Sequence, residues 1–162
     1  MKRQTMQVTL LVLVLIFKCH AAEAGILRIT PFLGFTTPEN RTSYGVQVGV
    51  GGGVIPIAVE GEIFKISQDH GYPSSVFYTG GLRLQPALPI PISPYLAGGI
   101  GILREDDTVS TNTFFVYNIG GGAEFKVASH ISIQGEFRVF KPSGHEDSLT
   151  FKRLTIGIGL KL

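Results

Sequence analysis

From Tyr44 to Ile66 the chain alternates between apolar residues and small or polar ones. Val46, Val48 and Val50 are interleaved with Gly45, Gln47, Gly49 and Gly51, and after a VIPI connection Val59 and Ile63 alternate with Glu60, Glu62 and Phe64. A period of two marks strands. Glutamates and glycines sharing the second face suit the interior of a barrel better than the solvent face of a sandwich. The hairpin recurs from Val116 to Phe140, where VEGEIFKI aligns without a gap on IQGEFRVF, Gly61 over Gly135 and Glu62 over Glu136.

Carried along the chain, the alternation predicts eight strands: Leu27–Thr36, Ser43–Gly53, Ile57–Ser67, Ser75–Gln85, Ser93–Arg104, Thr113–Lys126, Ile131–Lys141 and Leu149–Leu162. Most reach the roughly 9 to 11 residues that a tilted strand needs to cross hydrocarbon. The connections Thr37–Thr42, Gln68–Ser74, Glu105–Asn112 and Pro142–Ser148 are polar, whereas Val54–Pro56, Pro86–Pro91 and Val127–His130 read as tight or proline-rich turns. Long polar loops on one side and turns on the other are the arrangement of an outer-membrane barrel. The expected fold is therefore all-β, an eight-stranded antiparallel up-and-down transmembrane β-barrel after a cleaved signal peptide.

Residues 1–24 stand outside the pattern. Lys2 and Arg3 precede an apolar run, Val8 to Phe17, and the small residues Ala22 and Ala24 follow. This is the layout of a secretory signal peptide cut before Gly25, with a run too short for the roughly 20 residues of a membrane helix. The barrel is assigned to residues 25–162, with no second domain.

The two faces separate cleanly. Outward fall Leu27, Ile29, Leu33 and Phe35 of the first strand and their counterparts through Leu154, Ile156, Ile158, Leu160 and Leu162 of the last. A continuous apolar band must be covered by lipid or a second sheet. Inward fall Arg28, Glu60, Glu62, Arg83, Glu124, Glu136, Arg138 and Arg153, four acids against four arginines. A narrow eight-strand interior is filled by side chains, where unpaired charges carry a large desolvation cost. These eight residues are expected to form an ion-pair network in a polar lumen, with guanidinium forks on carboxylates. The glycines Gly49, Gly51, Gly99, Gly101, Gly120, Gly122, Gly157 and Gly159 are expected to leave room for the arginines and for strand bending.

A third group, Lys65, Arg104, Lys141 and Lys152, falls outward at the strand ends beside the polar loops, above the aromatic residues Phe35, Tyr44, Tyr78, Phe115 and Tyr117. Such a basic rim over an aromatic girdle is expected to meet lipopolysaccharide phosphates, or to snorkel at a membrane boundary.

Composition removes other classes. The formal charge is +2, but Lys2, Arg3 and Lys18 against Glu23 lie in the leader, so the remainder holds eleven of each sign. No basic cluster is left for nucleic acid. The single cysteine, Cys19, leaves with the leader, which excludes a disulfide framework or thiolate metal site.

Pro94 to Leu103, PYLAGGIGIL, resembles the PYxGxGxG strand of small outer-membrane barrels of the OmpA membrane domain, OmpX and opacity-protein type. Asn118 to Val127, NIGGGAEFKV, is similar to the glycine-rich strand that follows it there. The resemblance covers Leu27 to Leu162 and implies an eight-stranded barrel inserted by the outer-membrane assembly machinery. It implies roles in envelope integrity, adhesion or host interaction and carries no catalytic residues. Leu162 stands where such barrels often end in Phe or Trp.

Chemistry beyond this is sparse. His130-Ile131-Ser132 looks like the His-x-Ser pair of PagL-type lipid A deacylases, but the topology places His130 in a turn at the end opposite the outer leaflet, and no third member orients it. His70 and His145, with Asp69, Glu146 and Asp147, lie in separate loops. Glu105-Asp106-Asp107 lacks the further oxygen ligands and turn glycine of a calcium loop, and the glycine runs precede no helix that could bind a nucleotide. The chain is thus expected to be a non-enzymatic, cofactor-free and metal-free monomer of the outer membrane, touching lipid and lipopolysaccharide, with a structural or surface-interaction role. A narrow pore or a lipid A-modifying enzyme is the alternative. A secreted lipocalin-like barrel would need an apolar interior.

Overall fold

Eight strands follow one another around a closed antiparallel ring: β1 (Leu27–Thr37), β2 (Arg41–Gly51), β3 (Ile57–Ile66), β4 (Ser74–Leu84), β5 (Ile92–Asp106), β6 (Thr111–Lys126), β7 (Ile131–Ser143) and β8 (Phe151–Lys161). The computed structural model describes residues 27–38, 40–51, 56–67, 74–86, 88, 90–106, 111–143 and 150–162. The predicted signal peptide, and His70 and His145 with their acidic neighbours Asp69, Glu146 and Asp147, lie outside these, as does Asp107.

Each strand pairs with its neighbours in sequence, and β8 returns to β1 through pairs such as Arg28 with Lys161 and Leu33 with Ile156. Leu162 N–H donates to Leu27 C=O at 2.8 Å, tying the two ends of the ladder. Closure leaves no unpaired edge. The period-two pattern then fixes two surfaces. Every predicted outward residue is exposed or half-buried, up to 73% exposure at Leu162, while the alternate positions are buried or half-buried.

The strand ends that face the β1–β2, β3–β4, β5–β6 and β7–β8 connections lie at one end, and those that face the β2–β3, β4–β5 and β6–β7 connections at the other with Leu27 and Leu162. The expected contrast between long loops and tight turns is not found in their lengths. The β5–β6 ladder continues through Glu105 with Asn112 and Asp106 with Thr111, and β2 begins at Arg41, opposite Thr36. Threonines at these ends are at home in strands, so residues expected in loops extend the barrel wall instead.

The lumen also differs from the uniformly polar interior expected. It has two storeys. The end nearer Leu27 and Leu162 holds the ionic residues, while the other end is closed by Phe64, Ile66, Phe77, Leu103, Val116, Phe140 and Phe151, with Phe32 and Phe114 against them. Phe64 and Phe77 stack with centroids 4.5 Å apart and planes 7° from parallel, and Phe140 tilts onto both at 5.1 and 5.4 Å. These residues keep the inward parity of Glu60, Glu62 and Arg138, so alternation places them inside. Counting charge alone overlooks them.

Candidate functional site

The repeated octapeptides occupy β3 and β7, four strands apart in a ring of eight. Glu62 and Glu136, aligned in sequence, therefore project into the lumen from opposite walls. Two guanidinium groups bridge the gap. Arg153 of β8 directs Nη1 to Glu62 and Nη2 to Glu136 Oε1, the latter at 2.9 Å. Arg138 of β7 directs Nη2 to Glu136 Oε2 at 2.8 Å and to Glu60 Oε1 at 2.7 Å, with Nη1 3.5 Å from Glu62 Oε2 and 3.3 Å from Asn118 Oδ1.

One level nearer the termini, Arg83 of β4 places Nε 3.4 Å from Glu60 Oε2 and donates from Nη2 to Gln134 Oε1 at 2.9 Å. Gln134 Nε2 in turn donates to Gln47 Oε1 at 3.2 Å. Glu60 and Gln134 are again equivalent positions of the repeat, so a second arginine joins the same two walls. Arg83 has no exposed surface. Its Nη2 bond and the charge of Glu60 replace part of the hydration that burial removes, while Nη1 has no hydrogen-bond partner among the described residues.

Tyr95 completes this layer. It projects from β5, faces Gly122 of β6 in the ladder, and donates from Oη to Glu136 Oε2 of β7 at 3.1 Å, with the Arg83 guanidinium 3.5 Å above its ring. A side chain can lie across a neighbouring strand only if that strand carries nothing there. A Cβ on Gly122 would stand 2.1 Å from the Gly135 carbonyl oxygen and 2.7 Å from Tyr95 Oη. This glycine makes room for a tyrosine rather than for an arginine. Gly49 does serve an arginine, since a Cβ there would come 3.3 Å from Arg28 Nη2.

At the terminal end a separate cluster lies in the mouth. Arg28 Nη1 lies 3.0 Å from Glu124 Oε2, and Gln85 accepts from Arg28 at 3.2 Å while donating to Glu124 at 3.1 Å. Lys161 Nζ adds a contact of 2.5 Å to Glu124 Oε1. The eight predicted residues thus fall into two groups, with Arg28 and Glu124 in one and the other six together, and Lys161 is a ninth charged member that shifts the lumen balance by one positive charge. Its inward parity with Arg153 and Thr155 marks it in the sequence. Arg41, buried at the opposite mouth, carries the same signal in a residue placed before the expected strand start.

The ionic and aromatic storeys meet at Arg153. Its guanidinium carbon lies 4.2 Å from the Phe64 ring centroid, 4.6 Å from Phe32 and 5.0 Å from Phe140. The edges of the fork bond carboxylates and its face meets the rings, a combination that suits arginine and not lysine.

Outside, Lys65, Arg104, Lys141 and Lys152 are exposed but do not form an even rim. Lys65 and Arg104 flank Val76 at one level of β3–β5, with Tyr44 beside Lys65. Lys152 pairs with Val139, two residues from Lys141, on the far wall. Tyr44 and Tyr117 share the level of Lys65 and Lys141, whereas Tyr78, paired with Ile63, lies below Lys65 and Phe115, paired with Ser143, lies above Lys141. His130 is exposed in the β6–β7 connection, while Ser132 is buried and its Oγ donates to Gly159 C=O at 3.4 Å. The two do not share a face.

The family model described as outer membrane protein beta-barrel domain matches residues 9–161. The chain belongs to this family. Outer-membrane barrels of this family are located in the outer membrane, and so is this one. Among solved structures, the N-terminal β-barrel domain of Pseudomonas aeruginosa OprF superposes with a TM-score of 0.68 at 13% identity, covering 86% of this chain and 98% of that one. The attachment invasion locus protein Ail of Yersinia pestis gives 0.56 at 10% identity, covering 85% and 97%. The outer-membrane enzyme PagL gives 0.55 at 12%, covering 83% and 99%. At such identities these likenesses concern the fold. Comparison with curated protein sequences finds no match.

Proposed function

We propose that this family member is a transmembrane barrel with a sealed lumen, delivered by a cleaved leader and inserted as a monomer by the outer-membrane assembly machinery, with a structural or surface-interaction role. The observation that carries the reading is the two-storey filling of the lumen. Ion pairs from β3, β4, β7 and β8 occupy one storey and phenylalanines the other, which leaves the wall and the loops as the surfaces available for contact. The apolar outer face, with Leu33, Leu96, Ile119, Leu154 and Ile156 all more than half exposed, supports a lipid surround. Ail is an attachment invasion locus protein by name, and a chain of the same fold can serve attachment through its outer loops.

The test is electrophoretic mobility of the outer-membrane fraction with and without boiling, followed by planar-bilayer recording. A closed barrel shifts on heating and passes no steady current. A heat-shifted protein that conducts would replace this reading with a narrow pore.

A further inference from the structure

The outward face carries glycines at several places, Gly61, Gly80, Gly98, Gly121 and Gly135, and along the β2–β3 seam Gly61 lies among short or β-branched side chains. There β2 presents Val46, Val48 and Val50, and β3 presents Val59, Gly61 and Ile63. These six, with Glu60 and Glu62 between them on β3, line a groove of about 540 Å³. Gly61 forms its floor, and its partner across the next ladder is Gly80. A Cβ built at Gly61 would meet nothing nearer than 3.9 Å, and one at Gly80 nothing nearer than 4.0 Å. Neither glycine is required by close backbone approach, so both leave open space on the outer face at the same level.

Above the groove the outward side of β3 climbs from Gly61 through Ile63 to Lys65. Arg104 stands at the level of Lys65 across Val76. Two strand spacings place these cations about 10 Å apart, and four residues place them about 13 Å above the groove floor. Paired cations over an apolar furrow match the two halves of one amphiphile, an anionic headgroup and a hydrocarbon chain. A second copy of this chain fits less well, because a twofold interface apposes the same patch of both partners and would set Lys65 and Arg104 against their own copies.

We infer that the β2–β5 wall holds one molecule of lipopolysaccharide, a phosphate of its lipid A on Lys65 and Arg104 and an acyl chain in the groove floored by Gly61. The inference rests on the outer-membrane reading above. It narrows the basic rim to one arc and adds the chain-binding half.

The test is lipopolysaccharide retained per protein, measured by native mass spectrometry on the full chain extracted from lipopolysaccharide-bearing membranes in mild detergent. Each sample is also checked for the heat-dependent mobility shift. Each cation near a membrane surface contributes enough that losing two lowers retention on the order of tenfold, so K65Q/R104Q is expected to lose about that much. K141Q/K152Q, which removes equal charge from the other arc, is expected to lose distinctly less. G61L fills the groove without touching either cation and is expected to lower retention severalfold with its heat shift intact. Equal losses in the two charge variants, or wild-type retention in G61L, would overturn the inference. So would a wild-type dimer that G61L converts to a monomer, since the groove would then belong to a second copy. Absence of the heat shift from the wild type would instead remove the barrel reading itself.

Discussion

Glu136 receives Arg138, Arg153 and Tyr95 at 2.8, 2.9 and 3.1 Å, more donors than any neutral side chain of its size can match. Glu136→Gln would leave two buried guanidinium groups short of charge. Removing one partner of such a pair costs roughly 3–5 kcal/mol, and the drop is expected in urea unfolding monitored in detergent micelles. Adding Arg153→Gln to that variant removes one of the stranded cations, so the double variant should be less destabilised than the sum of the two singles. Gly122 gives a second expectation at this scale. Gly122→Ala sets a Cβ 2.1 Å from the Gly135 carbonyl oxygen as well as against Tyr95 Oη, so the β6–β7 backbone must shift, and the change should cost about 1–3 kcal/mol through overpacking. Tyr95→Phe removes the Oη contact but not the backbone one, so Gly122→Ala should still destabilise a Tyr95→Phe barrel in the same unfolding assay. Parity made Glu136 and Arg138 legible as lumen residues. Their partners were not, because parity gives the face of a side chain and not its reach. Tyr95 lies over a strand it does not belong to, and the glycine that allows this looks like the other glycines in the sequence.

The strands themselves were the most legible part of the chain, since a buried and a lipid-side face impose a strict period of two along each one. What alternation left open was where each strand stops. Thr111, Asn112, Arg41 and Glu105 are polar enough to read as loop, yet they pair in the ladder because a barrel wall can continue past its apolar band. The repeat between β3 and β7 was visible as an alignment, but its meaning depends on closure. Only in a ring of eight do strands four apart face each other, and only then do Glu62 and Glu136 become the two ends of one bridge. The outer face of these strands yields its own expectation. Ile156 lies midway along β8 and is 63% exposed, and Leu84 lies at the terminal end of β4 and is 47% exposed. Arginine on a lipid face costs about 2–4 kcal/mol at mid-depth and about 0–1 kcal/mol near the interface. Ile156→Arg should therefore lower folding free energy into lipid vesicles by several times more than Leu84→Arg. Equal effects would place the band elsewhere along the barrel.

At the scale of the whole molecule the lumen is closed twice in series, and the two closures depend on different physics. The phenylalanine storey is held by apolar burial and ring packing, and replacing Phe64 and Phe140 by alanine removes two of the rings that meet Phe77. Each change costs about 3–5 kcal/mol where the cavity does not collapse, so the unboiled form should convert to the slow-migrating form at a lower temperature. The same variant should still pass no steady current in a planar bilayer, because Arg138 and Arg153 continue to join the walls through Glu60, Glu62 and Glu136 beneath the cavity. Glu136→Gln alone should also remain silent, since the rings above it are untouched by the change. Conductance is expected only when both storeys are broken in one chain, and current through either variant alone would mean that one storey, rather than two in series, seals the barrel.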